Sequence, residues 1–176
     1  MERYVAFLRG INVSGQKLIK MEELRKHFEL PGFKNIATYI QSGNVLFDTK
    51  ETDKQLLRAK IEKRLQQKLG YAPPTILRSL PEIKSVIENN PYHTRKPGDE
   101  RKLYVGFLSG IPDAALHTAL DEYANDLEEA RVVNSEVYLL LASAAKTRLS
   151  NSFIEKKLKV GATMRNWTTV NKVITL

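Results

Sequence analysis

One eight-residue strand pattern occurs twice in this chain, one hundred residues apart. Tyr4-Val5-Ala6-Phe7-Leu8-Arg9-Gly10-Ile11 lies against Tyr104-Val105-Gly106-Phe107-Leu108-Ser109-Gly110-Ile111, with six of eight positions identical. Agreement at that level implies an internal duplication, so each copy should open its own structural half in an equivalent position. Both alternating sets of the first copy are apolar: Tyr4, Ala6 and Leu8 on one side, Val5 and Phe7 on the other. A strand apolar on both sides is normally covered on both. The second half, or a partner chain, is therefore expected to cover this sheet.

The pattern between the repeats supplies the rest of a half. Tyr4–Leu8 reads as a strand and Arg9 to about Lys20 as a loop. Met21, Leu24 and Phe28 recur at helical spacing before Pro31-Gly32 stops the helix. Asn35–Gln41 and Val45–Asp48 read as strands joined around Ser42-Gly43-Asn44. Thr52 with Gln55 suggests a capping box. It leads into a helical stripe of Leu57, Ile61, Leu65 and Leu69 that ends at Gly70, and Pro74–Arg78 is a further strand. The order β-α-β-β-α-β is that of a ferredoxin-like unit. Ser79 and Glu82 cap another helix that stops before Asn90-Pro91.

The second half repeats the scheme less clearly. Lys102–Leu108 is its first strand, and Leu116, Leu120, Tyr123 and Leu127 stripe a helix. Ala130–Val133 and Val137–Leu141 form a hairpin around Asn134-Ser135. Ser152 and Glu155 cap a helix ended by Gly161, and a last helix carries Trp167, Val170 and Ile174 with Thr163 as its N-cap. No strand is legible opposite Pro74–Arg78. The fold class expected is α+β: duplicated ferredoxin-like halves with antiparallel sheets and an extra C-terminal helix. The halves are residues 1–91 and 101–176, with 92–100, which contains Pro97-Gly98, as linker.

Composition removes several chemistries. The chain has no cysteine, so disulfides, thiol catalysis and cysteine metal sites are excluded. His27, His93 and His117 are isolated and show no metal spacing, so neither a metal nor a cofactor is expected. No apolar run approaches the roughly 18 residues of a membrane span, and no leader pattern opens the chain. A cytoplasmic protein with no membrane partner is the expectation. The net charge of +8 favours anionic partners, either a small molecule or nucleic acid; self-association as a homodimer is left open.

Strand polarity gathers the polar residues. In a unit with strand order 4-1-3-2, the loop leaving strand one, the hairpin between strands two and three and the entry to strand four emerge at one end. That end collects Arg9, Asn12, Ser14, Gln41, Ser42, Asn44 and Tyr71. Arg9 offers a permanently charged, forked donor, and the amides and hydroxyls offer neutral partners. Turn chemistry is the competing account of Asn12, Gly43 and Asn44. Gly10-Ile11-Asn12-Val13-Ser14-Gly15-Gln16-Lys17 approaches a phosphate-binding P-loop, but Gln16 separates the glycine from the lysine and Leu18 replaces the hydroxyl residue. The second cluster is Arg165 and Asn166. Placed in the first turn of the last helix, Arg165 would oppose the helix dipole.

Three motifs in order, Arg9-Gly10-Ile11-Asn12-Val13, Gln41-Ser42-Gly43-Asn44-Val45 and Thr163-Met164-Arg165-Asn166-Trp167, resemble the bacterial family called domain of unknown function 1697. Two positions depart from its pattern: Ser14 where glycine is usual, and Thr168 where asparagine is common. The resemblance implies the duplicated ferredoxin-like fold and brings no activity with it. The residues themselves favour a binding module for a polar or phosphorylated ligand, nucleic acid included, with Arg9, Asn12, Ser14, Gln41, Ser42, Asn44, Tyr71, Arg165 and Asn166 as candidate ligand-binding residues. One alternative is an enzyme acting on a small polar substrate, for which only Tyr71 or Tyr39 could serve as base. The other is a structural protein without chemistry.

Overall fold

A computed structural model describes every residue, Met1–Leu176. The chain divides into two compact units, one of Met1–Ile83 with Val173–Leu176 and one of Lys84–Lys172. In the first, β1 (Glu2–Leu8), β2 (Lys34–Tyr39), β3 (Asn44–Thr49) and β4 (Thr75–Ser79) form an antiparallel sheet in the order β2-β3-β1-β4. Helices α1 (Met21–His27) and α2 (Lys54–Leu69) cover one face, and α3 (Leu80–Glu88) starts directly after β4. In the second, β5 (Lys102–Leu108), β6 (Glu128–Val133), β7 (Glu136–Leu141) and β8 (Ala162–Asn166) form a sheet in the order β6-β7-β5-β8, with α4 (Asn151–Leu158) and then α5 (Trp167–Val173). The repeated strands β1 and β5 hold the same place in the two orders, as the duplication requires.

The equivalence extends to individual bonds. Val5 pairs with Arg78 on β4, and Val105 pairs with Arg165 on β8. The Leu8 N–H donates to the Gly43 carbonyl and the Leu108 N–H to the Ser135 carbonyl, each at 2.9 Å. A glutamate from the helix that precedes the fourth strand of each unit accepts that strand's first N–H: Glu62 Oε1 from Thr75 at 3.1 Å, and Glu155 Oε1 from Ala162 at 2.9 Å.

The core follows from the helical and strand periods. Leu57, Ile61 and Leu65 on α2 and Leu24 on α1 pack with Tyr4, Ala6 and Leu8 of β1 and with Val45 and Phe47 of β3. Burying a side chain of this size stabilises by about 1.5–3 kcal/mol. The other set of β1, Val5 and Phe7, is fully buried too, as are Val105 and Phe107 of β5.

The structure corrects four readings. The residues opposite Pro74–Arg78 do form a strand, β8; its five residues, ending in Arg165 and Asn166, are too short and polar to show an alternating signal. Thr163 sits inside that strand and caps nothing, and Arg165 is not in a helical turn. The stripe from Leu116 to Leu127 forms two short 3-10 turns, Ala114–Leu116 and Asp121–Tyr123. Asp113 Oδ1 takes the Ala115 N–H at 2.9 Å, and Asn125 Oδ1 takes those of Leu127 and Glu128 at 2.8 and 3.1 Å. Such short polar side chains compete with helical bonding. Ser150, not Ser152, caps α4, and that helix ends at Lys159 in left-handed backbone before Gly161 is reached.

The N-cap of α2 is the fourth correction. Asp53, one residue beyond Thr52, accepts from the N–H groups of Gln55 and Leu56 at 2.8 and 3.2 Å. Asp53→Ala should therefore cost about 1 kcal/mol, whereas Thr52→Ala should leave stability within about 0.5 kcal/mol. Urea midpoints of the two variants compare them directly.

Candidate functional site

Asn12 builds the loop end of the first unit. Its Nδ2 donates to the Ile19 carbonyl at 3.1 Å and to the Gln41 carbonyl at 2.9 Å, and its Oδ1 accepts the Ile19 N–H at 2.8 Å. One side chain thus closes the loop after β1 and ties it to the β2–β3 hairpin. The loop is drawn tighter by the Asn12 N–H bonding to the Lys17 carbonyl at 3.2 Å and the Gln16 N–H to the Val13 carbonyl at 2.9 Å. Asn12 is left-handed, with φ 52°, a conformation asparagine tolerates better than other non-glycine residues.

The hairpin side is equally specified. Asn44 is fully buried, and its Nδ2 donates to the Tyr39 carbonyl at 2.8 Å and to Ser42 Oγ at 3.1 Å. Gly43 has φ 84°, and a Cβ there would stand 2.5 Å from Ile11 Cδ1. Ile40 is left-handed as well, at φ 50°, which for a β-branched residue is strained. Ser14 and Lys17 share that conformation. Such strain persists only where the surroundings over-determine it, and it concentrates at functional loops.

The remaining candidates surround this frame. Arg9 is half-buried at the exit of β1, and its N–H bonds to the Pro74 carbonyl at 2.9 Å. Since Asn44 pairs with Phe7, Arg9 and Asn44 stand at the same end of the two central strands. Ser14 and Gln41 are exposed. Tyr71 is half-buried, with Lys17 Nζ 4.7 Å from its ring centroid, and burial pushes its phenol up. Lys17, absent from the sequence-derived set, therefore joins Tyr71 to the first loop. Only its place in the near P-loop spacing signalled it.

Arg165 and Asn166 lie in the second unit. Arg165 is buried, and its Nη1 donates to Thr163 Oγ1 and to the Met164 carbonyl, both at 2.8 Å. Desolvation lowers its guanidinium to about 10. Asn166 Oδ1 accepts the Thr169 N–H at 2.8 Å and so caps α5. Trp167 is half-buried beside an open hollow, together with Tyr104, Arg95, Arg101 and Lys102, a grouping that sequence separation concealed.

A model of proteins of unknown function, DUF1697, matches residues 1–138. The chain belongs to that family. The match takes in the motifs at Arg9–Val13 and Gln41–Val45 and stops before Thr163–Trp167. Among solved structures, a conserved bacterial protein from Streptococcus pneumoniae is similar over 99% of this chain and 97% of its own length. Its sequence identity is 24% and its TM-score 0.72, so the likeness is one of fold. No curated protein matches the chain. No helix is long and apolar enough to cross a membrane.

Proposed function

We propose that this protein is a cytoplasmic binding module whose first unit holds a polar or phosphorylated ligand at its loop end, with Arg9 as anchor. The observation that carries this reading is the exchange of one residue between the two copies. In the second unit Ser109 Oγ accepts the Gly161 N–H at 2.8 Å, which ties that end of the sheet shut. In the first unit the residue opposite is Pro74, which has no N–H to satisfy, and the serine position is Arg9. A guanidinium accepts no hydrogen bond; it brings charge and five donors. An arginine cannot perform the acceptor task of its copy, and it brings a group suited to an anion. Around it, Ser14, Gln41 and Lys17 add polar and cationic partners, and the +8 net charge favours an anionic ligand.

Mass spectrometry of small molecules that co-purify with the native protein and with Arg9→Ala tests the reading. The variant should melt within about 2 °C of the native protein, the scale of a surface change in a chain of this size, and should lose the co-purified molecule. Equal retention by both proteins would overturn the assignment. So would a fall in Tm of several degrees, which would make Arg9 a loop staple.

A further inference from the structure

We propose that the second unit carries a groove for single-stranded nucleic acid, a site separate from the loop end of the first unit and independent of that reading. Two open hollows of about 960 and 490 Å³, the larger of them mostly polar, adjoin each other and share Arg95, Asp99, Glu100 and Arg101. A small ligand is normally enclosed over most of its surface; a continuous open groove suits an extended chain.

The charges sort by how they are engaged. Arg101 forks onto Asp99, Nε to Oδ1 at 3.0 Å and Nη2 to Oδ2 at 2.8 Å, and reaches Glu129 at 3.3 Å. Its guanidinium holds the Asp99 carboxyl at about 2, so that acid stays ionised against Arg101. Lys96 and Lys102 line the same groove, as does Arg95, whose Nη1 donates to the Arg101 carbonyl and whose charge helps hold the Asp99 carboxyl down. Glu100 and Asp126 are the acids that oppose them.

At the smaller hollow stand two half-buried aromatic residues, Trp167 and Tyr104. The backbone of Trp167 is fixed from both sides: Asn166 caps the helix it opens, and its carbonyl accepts Asn171 Nδ2 at 2.8 Å. An aromatic ring on a fixed backbone, beside cations that follow a groove, is what unpaired bases and their phosphates require. The more familiar use of such a fold, bases stacked on the central strands, is closed here, because Val105 and Phe107 are fully buried.

Trp167 is the chain's only tryptophan, so fluorescence excited beyond the absorption of tyrosine reports on this groove alone. Titration with a thymidine 12-mer at low salt should quench it saturably. The affinity should fall with salt at a log–log slope of about −2, near −0.7 for each of three phosphates contacted. The double substitution Arg95→Glu with Lys102→Glu should weaken binding of a labelled strand at least tenfold by anisotropy. Trp167→Ala should weaken it on the order of tenfold, and Trp167→Phe, which keeps a ring, should largely restore it. The proposal is overturned if no strand binds at low salt, if a labelled strand binds while the fluorescence stays unchanged, or if a duplex of equal length binds as well. It is also overturned if Trp167→Phe binds as weakly as Trp167→Ala.

Discussion

Gly43→Ala is expected to destabilise the protein by about 3 kcal/mol, the largest effect of any single methyl group added to this chain. Two costs combine. A residue with a Cβ at φ 84° is strained, on the order of 1 kcal/mol or more. The new methyl would also stand 2.5 Å from Ile11 Cδ1, 2.9 Å from Ile11 Cγ1 and 3.1 Å from Leu8 Cβ, and overpacking of this kind typically costs 1–3 kcal/mol. Ile11 is fully buried, so its side chain has little room to turn away. For a chain of this length the loss corresponds to a fall in Tm of about 10 °C. Adding Ile11→Val removes Cδ1, the atom nearest the clash, and should recover part of the loss but not the backbone strain. Gly106→Ala is the contrast. There the nearest atoms lie at 3.6 Å, the equivalent residue is Ala6, and the substitution should be neutral or slightly stabilising. Calorimetry on the three variants decides it; an unchanged Tm for Gly43→Ala would contradict the packing described at the hairpin.

Asn12→Gly should cost about 2 kcal/mol and open the first loop. Glycine keeps the left-handed backbone at no steric penalty, so the loss reports the three side-chain hydrogen bonds, each contributing about 0.5–1.5 kcal/mol net, together with glycine's greater freedom in the unfolded chain. The Ile19 amide, bonded to Asn12 Oδ1 at 2.8 Å, is the local reporter. Its hydrogen exchange should accelerate at least tenfold in the variant, while amides of β1 and β3 change only by the global loss. Asn12→Asp separates the donor from the acceptor. It keeps Oδ1 for Ile19 but sets a carboxylate oxygen against the Ile19 and Gln41 carbonyls in place of the Nδ2 donor, and it should cost at least as much as Asn12→Gly.

These two residues also show where sequence reasoning succeeds. The repeat at Tyr4 and Tyr104 was enough to place both opening strands, because strand identity lies in apolar runs and turn residues that a sequence displays. The same polarity argument brought Asn12 to Gln41 and Ser42 to Asn44. It could not show what those contacts do: the amides of Asn12 and Asn44 turn out to be engaged with backbone carbonyls, so their first role is to hold the loops. Five-residue β8 escaped because Thr163, Arg165 and Asn166 carry no alternating apolar signal, and its burial depends on tertiary packing. The stripe at Leu116–Leu127 misled because apolar spacing was counted while Asp113, Asp121 and Asn125 were not weighed as helix competitors. The exchange of Ser109 for Arg9 was visible in the sequence, but its meaning needed the structure, which pairs Gly161 with one and Pro74 with the other.

Amide-resolved NMR with inorganic phosphate as the probe tests the loop-end site most directly. At low ionic strength, millimolar phosphate should shift Gly10, Ser14, Gly15, Lys17 and the hairpin amides Gln41–Gly43 with one common saturation curve, and Arg9→Ala should abolish it. The equivalent amides of the second unit, Gly110 and Ser135, should not move. Equal shifts at both ends, or shifts spread over surface lysines without saturation, would contradict a ligand site at Arg9.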